Sequence, residues 1–450
     1  MWYCCDVKGI HALIAAAVAG CSETTKSSEP SPPVALVAPA SITVPEQDSV
    51  PVEAYLVDSA GRPLPPAPAA WAIADTTLAV VSRSGVVTFR RPGHTQLLVL
   101  SSGFSTRVDV ETRVRFAFSA SGAAYRSFMR WCGFTDRNSL YCLDADHYPI
   151  SSDSNALFKV ELPTGATLQQ LSMGIEFMCG VMTTQAAYCW GAWQDGQLGS
   201  TETGTGYLIQ RPVAVSGGHA FISVRAGWRS ACGITTDSAA YCWGTGALGD
   251  SVPYHAASLP VKVAGGYKFV AIAPADWHVC GLIATGEAVC WGTNYDGELG
   301  RGSDTITLAS APGPVATAMR FRSISAGGSQ SCALGADSIA YCWGRIDFQT
   351  VRSPTPINST LRFRTLDARA HVCGLATDGR AYCWGDNRSG QLGNGSTTYS
   401  ASPTAVATSL SFESNSTGTA HSCGTDAAGI VYCWGAYFGL TPVRVRDQRD

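Results

Sequence analysis

The sequence holds 17 cysteines, and fourteen of them fall into seven pairs with a single spacing. The pairs are Cys132/Cys142, Cys179/Cys189, Cys232/Cys242, Cys280/Cys290, Cys332/Cys342, Cys373/Cys383 and Cys423/Cys433, each separated by ten residues. Thiols can ligate a metal or form a disulfide. Zinc sites draw adjacent cysteines from spacings of about two to four residues. A longer spacing repeated without change points to a disulfide framework, and disulfides persist in oxidising compartments.

Other residues with chemical potential argue less. His278, His371 and His421 each lie two residues before the first cysteine of a pair. Equivalent positions on neighbouring sheets are separated by something like 10 Å, whereas one zinc ion needs its nitrogen ligands at about 2.1 Å. A structural role is expected for all three. The turns Asp195-Gly196 and Asp296-Gly297 lack the alternating oxygen ligands and closing Glu of a calcium loop, so turn chemistry accounts for them. There is no Walker loop, G-x-S-x-G elbow or HExxH. No catalytic residue, metal ligand or cofactor is assigned.

The elements that carry the cysteines follow from the spacing. "CGLATDGRAYC" folds as a hairpin with a three-residue loop, Thr377-Asp378-Gly379, which sets Cys373 opposite Cys383. Opposed Cα atoms lie roughly 4.5–5.5 Å apart, within disulfide range. Such loops end in the left-handed region, which suits Gly379, Gly286, Gly429 and Asn138. Ser238, Ser338 and Gln185 fit less well. The register also sets Gly133, Gly180, Gly233, Gly374 and Gly424 opposite tyrosines, which are expected to cover them. Ala333 opposite Tyr341 and Gly281 opposite Val289 depart from this pattern.

The first cysteines recur at intervals of 47, 53, 48, 52, 41 and 50 residues. Periods near fifty mean a propeller or a solenoid. Each repeat reads as an "F-x-x-I/V" strand, the Cys hairpin, Trp-Gly and a Pro-Val strand. Four short strands make a propeller blade, so seven repeats predict seven blades. "YCWGDNRSGQLGNG", "YCWGAWQDGQLGS" and "CWGTNYDGELGRG" resemble regulator of chromosome condensation repeats, over residues 113–450. That resemblance implies an all-β, seven-bladed propeller. Repeat one has "LDAD" in place of Trp-Gly. Repeats three, five and seven read "GTGALGD", "GRIDFQTV" and "GAYFGLTP", and are expected to lose the standard turn.

Trp190, Trp243, Trp291, Trp343, Trp384 and Trp434 hold one repeated position, which favours packing between blades over a ligand site. The loops after Trp-Gly vary instead. They carry Trp193, Tyr295, Phe348, Arg388, Tyr437 and Phe438, residue types enriched at interface hot spots, on loops, where binding residues concentrate. These six are the candidate partner-binding residues. The competing reading has their rings tucked onto adjacent blades.

The N-terminus reads as a targeting segment. Lys8, the apolar "IHALIAAAVAG" and "VAGC" resemble a bacterial lipoprotein signal over 1–21, implying lipid attachment at Cys21. Residues 22–33, polar and Pro-rich, read as a flexible tether. Residues 34–112 alternate apolar and polar residues. With Trp71, Gly85 in "VSRSGVVT" and Gly93, they resemble a bacterial immunoglobulin-like domain of the invasin/intimin type, which implies a small sandwich acting as a stalk or adhesion module.

Charged residues make up 14% of the chain and the net charge is −3, without the basic stripe of a nucleic-acid binder. The expectation is an exported monomer, held at the cell envelope as an outer-membrane or surface lipoprotein, or secreted. It would bind an unknown protein or glycan and would not be an enzyme. The alternatives are an envelope enzyme acting on polysaccharide, which a carboxylate pair in one cleft would support, and a regulatory or inhibitory protein. Exchange-factor activity does not suit the compartment, and fold alone does not transfer function.

Overall fold

In a computed structural model, the described residues are 32–445 apart from 45–48, 91–92, 113–115, 122–128, 136–138, 145–156, 205, 303–304 and 358–359. The signal segment, Cys21, most of the tether and Asn138 lie outside them.

All seven cysteine pairs stand directly opposed across a hairpin. The disulfides are Cys132–Cys142, Cys179–Cys189, Cys232–Cys242, Cys280–Cys290, Cys332–Cys342, Cys373–Cys383 and Cys423–Cys433. Their Cα atoms are 4.1 Å apart. This is slightly closer than the roughly 4.5–5.5 Å of opposed residues in an antiparallel pair.

The second cysteine of each pair also faces the fourth strand of its sheet. Cys242 opposes Val261, Cys290 opposes Gly313 and Cys342 opposes Thr355, and the register shifts directly after each of them. That shift falls where the tryptophan stands, and the hairpin spacing did not disclose it. Cys142 opposes Phe158 and the ladder continues evenly to Leu143 and Leu157. Repeat one, which has Leu143 in the tryptophan position, thus lacks the irregularity.

The third loop residue of the hairpin is left-handed whether or not it is glycine: φ is 67° at Gln185, 66° at Ser238, 65° at Ser338 and 83° at Gly379. The reason lies in the next sheet. The carbonyls of Gln185, Ser238, Gly286, Ser338 and Gly379 accept the backbone N–H of Phe221, Phe269, Phe321, Phe363 and Phe412. The loop conformation joins consecutive repeats, so it survives a residue with no intrinsic preference for it.

Each hairpin is the middle of a four-stranded antiparallel sheet of consecutive strands, and seven such sheets follow one another. The third, for example, comprises Phe221–Ala226, Ser230–Thr235, Ala240–Gly246 and His255–Lys262. The first strands of successive sheets lie side by side, and Phe412–Thr417 of the seventh lies against Phe116–Ser121 of the first. Side chains tie some of these inner strands. Ser172 Oγ accepts from Ala226 N at 3.0 Å, and Asp367 Oδ2 accepts from Thr417 N at 2.6 Å.

The core is built between sheets. Clusters combine the second and third strands of one sheet with the Phe and Trp of the next. Cys179 and Cys189 meet Phe221 and Trp243, and Cys232 and Cys242 meet Phe269 and Trp291. Cys280 and Cys290 meet Phe321 and Trp343, and Cys332 and Cys342 meet Phe363 and Trp384. Tyr141 of sheet one joins Cys423 and Cys433 of sheet seven.

The glycine after the first cysteine has a different partner from the one the register implies. A Cβ on Gly233 would lie 2.5 Å from the Phe221 ring, on Gly281 2.5 Å from Phe269, and on Gly374 2.6 Å from Phe363. The phenylalanine of the first strand therefore occupies the space, while the opposed tyrosine packs edge-on against that phenylalanine, as Tyr382 does at 6.4 Å. This explains why Gly281 is kept opposite Val289. Gly233→Ala should cost about 1–3 kcal/mol through overpacking, read as a lower urea midpoint. An unchanged midpoint would remove Phe221 as the reason for the glycine.

Residues 34–112 form their own sheets. Ser41–Thr43, Phe104–Thr112, Gly93–Ser101 and Ala70–Ile73 make one, in that order, and Ser49–Pro51, Val86–Phe89 and Ala79–Val81 another. Ala35–Val37 pairs with Tyr55–Val57. Val87, Leu97, Val99, Val108 and Val110 fill the space between them. Gly85, at φ 79°, gives room to the Trp71 ring, which a Cβ would meet at 2.6 Å.

Candidate functional site: an aromatic and acidic cleft

The repeated tryptophans are structural. Trp190, Trp243, Trp291, Trp343 and Trp434 are fully buried, and Trp384 nearly so. Four of the six indoles bond the Trp-Gly loop of the preceding sheet, while Trp190, which follows a repeat without Trp-Gly, has no partner for its N–H among the described residues. Trp243 Nε1 donates to Gln197 O at 3.0 Å, Trp343 to Glu298 O at 2.8 Å and Trp434 to Gln391 O at 3.0 Å. Repeat three, shortened to "GTGALGD", still supplies this cap: Trp291 Nε1 donates to Ala247 O at 3.0 Å, and Gly249 rests on the same ring. Repeat three thus keeps the cap on the next indole although its loop is shortened. Repeat five does lose it. Asp347 and Phe348 both have positive φ, as in a tight two-residue hairpin turn. The indole N–H of the following Trp384 has no partner among the described residues.

The histidines lock neighbouring sheets. His278 Nε2 lies 2.8 Å from Ser331 Oγ, and His371 Nε2 2.6 Å from Ser422 Oγ. The serine hydroxyls donate to Glu298 O and Gln391 O, so each serine oxygen must accept from an Nε2–H imidazole. Burial holds both histidines neutral, at a pKa of about 3. His421 packs its ring against Phe438, 5.8 Å away. Among the described residues no cluster of His, Cys, Asp or Glu is arranged to hold a metal.

The six loop candidates divide. Trp193 occupies the repeat position of the buried Asn294 and Asn387, which staple their loops by donating to Ile306 O and Ser396 O. Its indole N–H does the same, donating to Gly206 O at 2.8 Å. Phe438 packs into the cluster beside Tyr141. Tyr295, Phe348 and Tyr437 are 71%, 71% and 62% exposed. Phe348 lies against Tyr399, 5.1 Å away, and Arg388 pairs with Asp386 at 2.9 Å. These four lie on separate sheets, and none of them lines either cavity described below.

A cavity of about 540 Å³ opens on the same side of the sheets, lined by Ile175, Glu176, Asp195, Gln197, Tyr207, Trp228, Arg229, Asp276 and Thr419. Two element types build it. One is the turn between first and second strands, which supplies Glu176, Trp228, Arg229 and Asp276. The other is the Trp-Gly loop of sheet two, which supplies Asp195 and Tyr207. Backbone bonds hold the two types together: Ala192 N donates to Glu176 O, Thr245 N to Arg229 O and Thr293 N to Trp277 O.

The Tyr207 hydroxyl donates to Glu176 Oε2. That bond, with burial, pushes the phenol's pKa up to about 12, so it stays a donor. The Arg229 guanidinium lies 5.2 Å from the Trp228 ring centre, with its Nε 3.6 Å from Asp195 Oδ2. Burial raises the pKa of Asp276. Trp277 stands perpendicular to Trp228 at 4.3 Å, and Tyr254 follows Trp277 at 6.0 Å. The aromatic run therefore continues out of the cavity.

A second cavity, of about 320 Å³, lies among the first strands and includes Ser223, Arg225, Ser325, Asp367, Arg369 and Asn415 in its lining. Arg369 crosses from sheet six to the backbone carbonyls of Met173 and Ala226 in sheets two and three, partitioning the space at that end.

Sequence reasoning missed Glu176, Tyr207, Trp228, Arg229, Tyr254, Asp276 and Trp277. A signal was available. The turn before the first cysteine is built of small or uncharged residues in repeats five and seven, "GGS" and "GTA", but reads "GWR" and "ADW" in repeats three and four.

Comparison with known proteins agrees with these sheets. The regulator of chromosome condensation (RCC1) repeat profile matches residues 285–334 and 378–425. Each match spans the last two strands of one sheet and the first hairpin of the next. Among solved structures, the chain is similar to human WBSCR16, at 17% identity over 74% of this chain and 89% of that one, with TM-score 0.62. It is also similar to Prp20p from Saccharomyces cerevisiae, at 20% identity over 66% and 82%, TM-score 0.56. Yeast RCC1 (Prp20) bound to Kap60 gives 21% identity over 62% and 75%, TM-score 0.55. These likenesses show the fold: an all-β propeller of four-stranded sheets with RCC1-type repeats. No curated protein matches the chain.

Proposed function

We propose that the chain is an exported binding protein, a seven-bladed propeller whose aromatic and acidic cleft recognises a protein or glycan partner. The observation that carries this reading is the cleft itself. Large aromatic and charged side chains replace small ones in the first turns of sheets three and four, where packing alone does not demand them. Sites with a few polar groups converging on aromatic walls are the usual form of a binding pocket. The seven-bladed count is supported by the packing of sheet seven against sheet one. Fold neighbours are recorded as bound to Kap60 and as having binding properties to Gsp1p and histones, which makes partner binding a natural use of this architecture.

The disulfides support export. Residues 34–112 would serve as an Ig-like stalk and Cys21 as the lipid anchor. Cys21→Ala should then release the protein from membranes.

The test is a pull-down and glycan-array screen with the full chain. Trp277→Ala and Tyr254→Ala should weaken the captured partner at least tenfold, with melting temperature unchanged. Phe348→Ala and Tyr437→Ala should leave binding as it was. Binding indifferent to the first two variants overturns the site. The second reading, an envelope enzyme acting on polysaccharide, is favoured by the carboxylates gathered in the cleft. Release of new reducing ends that stops with Asp276→Asn would select it.

A further inference from the structure

The chemistry of the cleft narrows the ligand beyond a choice of protein or glycan. Acidic residues beside aromatic rings ordinarily invite a cation. Here that role is filled from within. Arg229 already lies over Trp228 and beside Asp195, and Glu176 already accepts from Tyr207. An incoming Lys or Arg side chain would find the Trp228 face and the Asp195 carboxylate shared with a resident cation.

What remains suits a neutral ligand rich in hydroxyls. Carboxylate oxygens have more lone pairs than their present partners use, and a guanidinium has five N–H donors. Glu176, Asp195 and Asp276 can accept from sugar hydroxyls while Arg229 donates to them. Tyr207, Trp277 and Tyr254 remain 54%, 39% and 41% exposed, offering flat apolar surface to the C–H faces of a pyranose ring. The cavity volume of about 540 Å³ falls within the roughly 300–1,000 Å³ of small-molecule sites. The perpendicular Trp228/Trp277 corner and the following Tyr254 prolong the surface past one ring.

We propose that this cleft is a carbohydrate subsite for a neutral oligosaccharide, with one sugar among Tyr207, Trp228, Glu176 and Arg229 and the next along Trp277 and Tyr254. The proposal rests on the binding-cleft reading above and commits it to one ligand class.

The experiment is a titration of the full-length protein, followed by tryptophan fluorescence and calorimetry. The probes are neutral gluco-, manno-, galacto-, xylo- and N-acetylglucosamine-based sugars of one to three units, with Lys- and Arg-containing peptides in parallel. One neutral series should bind, more tightly as a dimer than as a monomer. Its affinity should hold between low and high salt, since no net charge is neutralised. Trp277→Ala should erase the gain from the second unit, and Glu176→Gln should weaken every length at least tenfold. Tyr207→Phe, which keeps the ring, guards against a folding defect and should lower affinity less than Glu176→Gln. Salt-sensitive binding of the basic peptides instead, lost in Trp277→Ala, would overturn the carbohydrate assignment while keeping the cleft as the site. A sugar bound with full affinity by both Trp277→Ala and Glu176→Gln would overturn the cleft itself.

Discussion

Reduction and alkylation of the fourteen paired cysteines should abolish the cooperative unfolding transition of the seven-sheet body. Each bridge closes a loop of about ten residues, for which chain entropy gives about 2–3 kcal/mol. The loops do not overlap in sequence, so their contributions add to a first approximation. Seven of them come to roughly 14–21 kcal/mol, against a typical total stability of about 5–15 kcal/mol. Packing between sheets is what remains once the bridges are gone: the middle strands of sheet two, for example, set Met178 and Trp190 against sheet one and Cys179 and Cys189 against sheet three. The paired sulfurs belong to residues no more than 1% exposed, so the thiol reagent reaches them only when a sheet opens. Reduction in native buffer should therefore be slow, and should accelerate with mild denaturant. Urea melts of oxidised and of reduced, alkylated protein make the measurement. A reduced chain that still melts cooperatively near the original midpoint would show that the inter-sheet packing suffices alone. Removing one bridge, with Cys373→Ala and Cys383→Ala together, should cost about 2–3 kcal/mol.

The same hairpins show how far the sequence could be read and where it stopped. An invariant spacing fixes which residues oppose each other across two strands, because the period of a strand is two. The Cys373/Cys383 register was legible for that reason. Which side chain fills the space above Gly374 was not, since the answer, Phe363, comes from a third strand on the far side of the pair. Opposition across one ladder says nothing about reach across the next. Position in the repeat also misled at Trp193. Its residue type suggested an interface, whereas alignment with Asn294 and Asn387 makes it a loop staple with an indole donor in place of an amide. The cleft is not legible from the Trp-Gly loops alone, which supply only Asp195, Gln197 and Tyr207 of its lining. Most of the cleft comes from the turn before the cysteine, where "GWR" and "ADW" stand out only against "GGS" and "GTA". Departures from a repeat mark function best when every position of the repeat is compared.

Acid should weaken the fold through His278 and His371 well before most carboxylates protonate. Both imidazoles are neutral in the folded protein, with burial lowering the pKa from 6.5 to about 3. In the unfolded chain they take up a proton below about pH 6.5. Between these values the unfolded state binds more protons, so stability falls as pH falls. From pH 7.5 to 5.0 the loss is about 2 kcal/mol for each histidine and about 4 kcal/mol for both. The penalty keeps growing until pH approaches 3 and then levels off, because both states are then protonated. Protonation within the fold is no escape. Nδ1 of each ring is buried without a partner among the described residues, so an added N–H there would be desolvated and unpaired. Replacing both residues by Gln keeps a donor for Ser331 and Ser422 and removes the titration. Urea midpoints of the wild type should drop between pH 7.5 and 5.0 by the equivalent of about 4 kcal/mol more than those of His278→Gln/His371→Gln. Equal pH slopes in the two proteins would mean that these histidines are charged, or solvated, in the native state. The locks between sheets four and five and between six and seven would then have to be redrawn with an ionised imidazole.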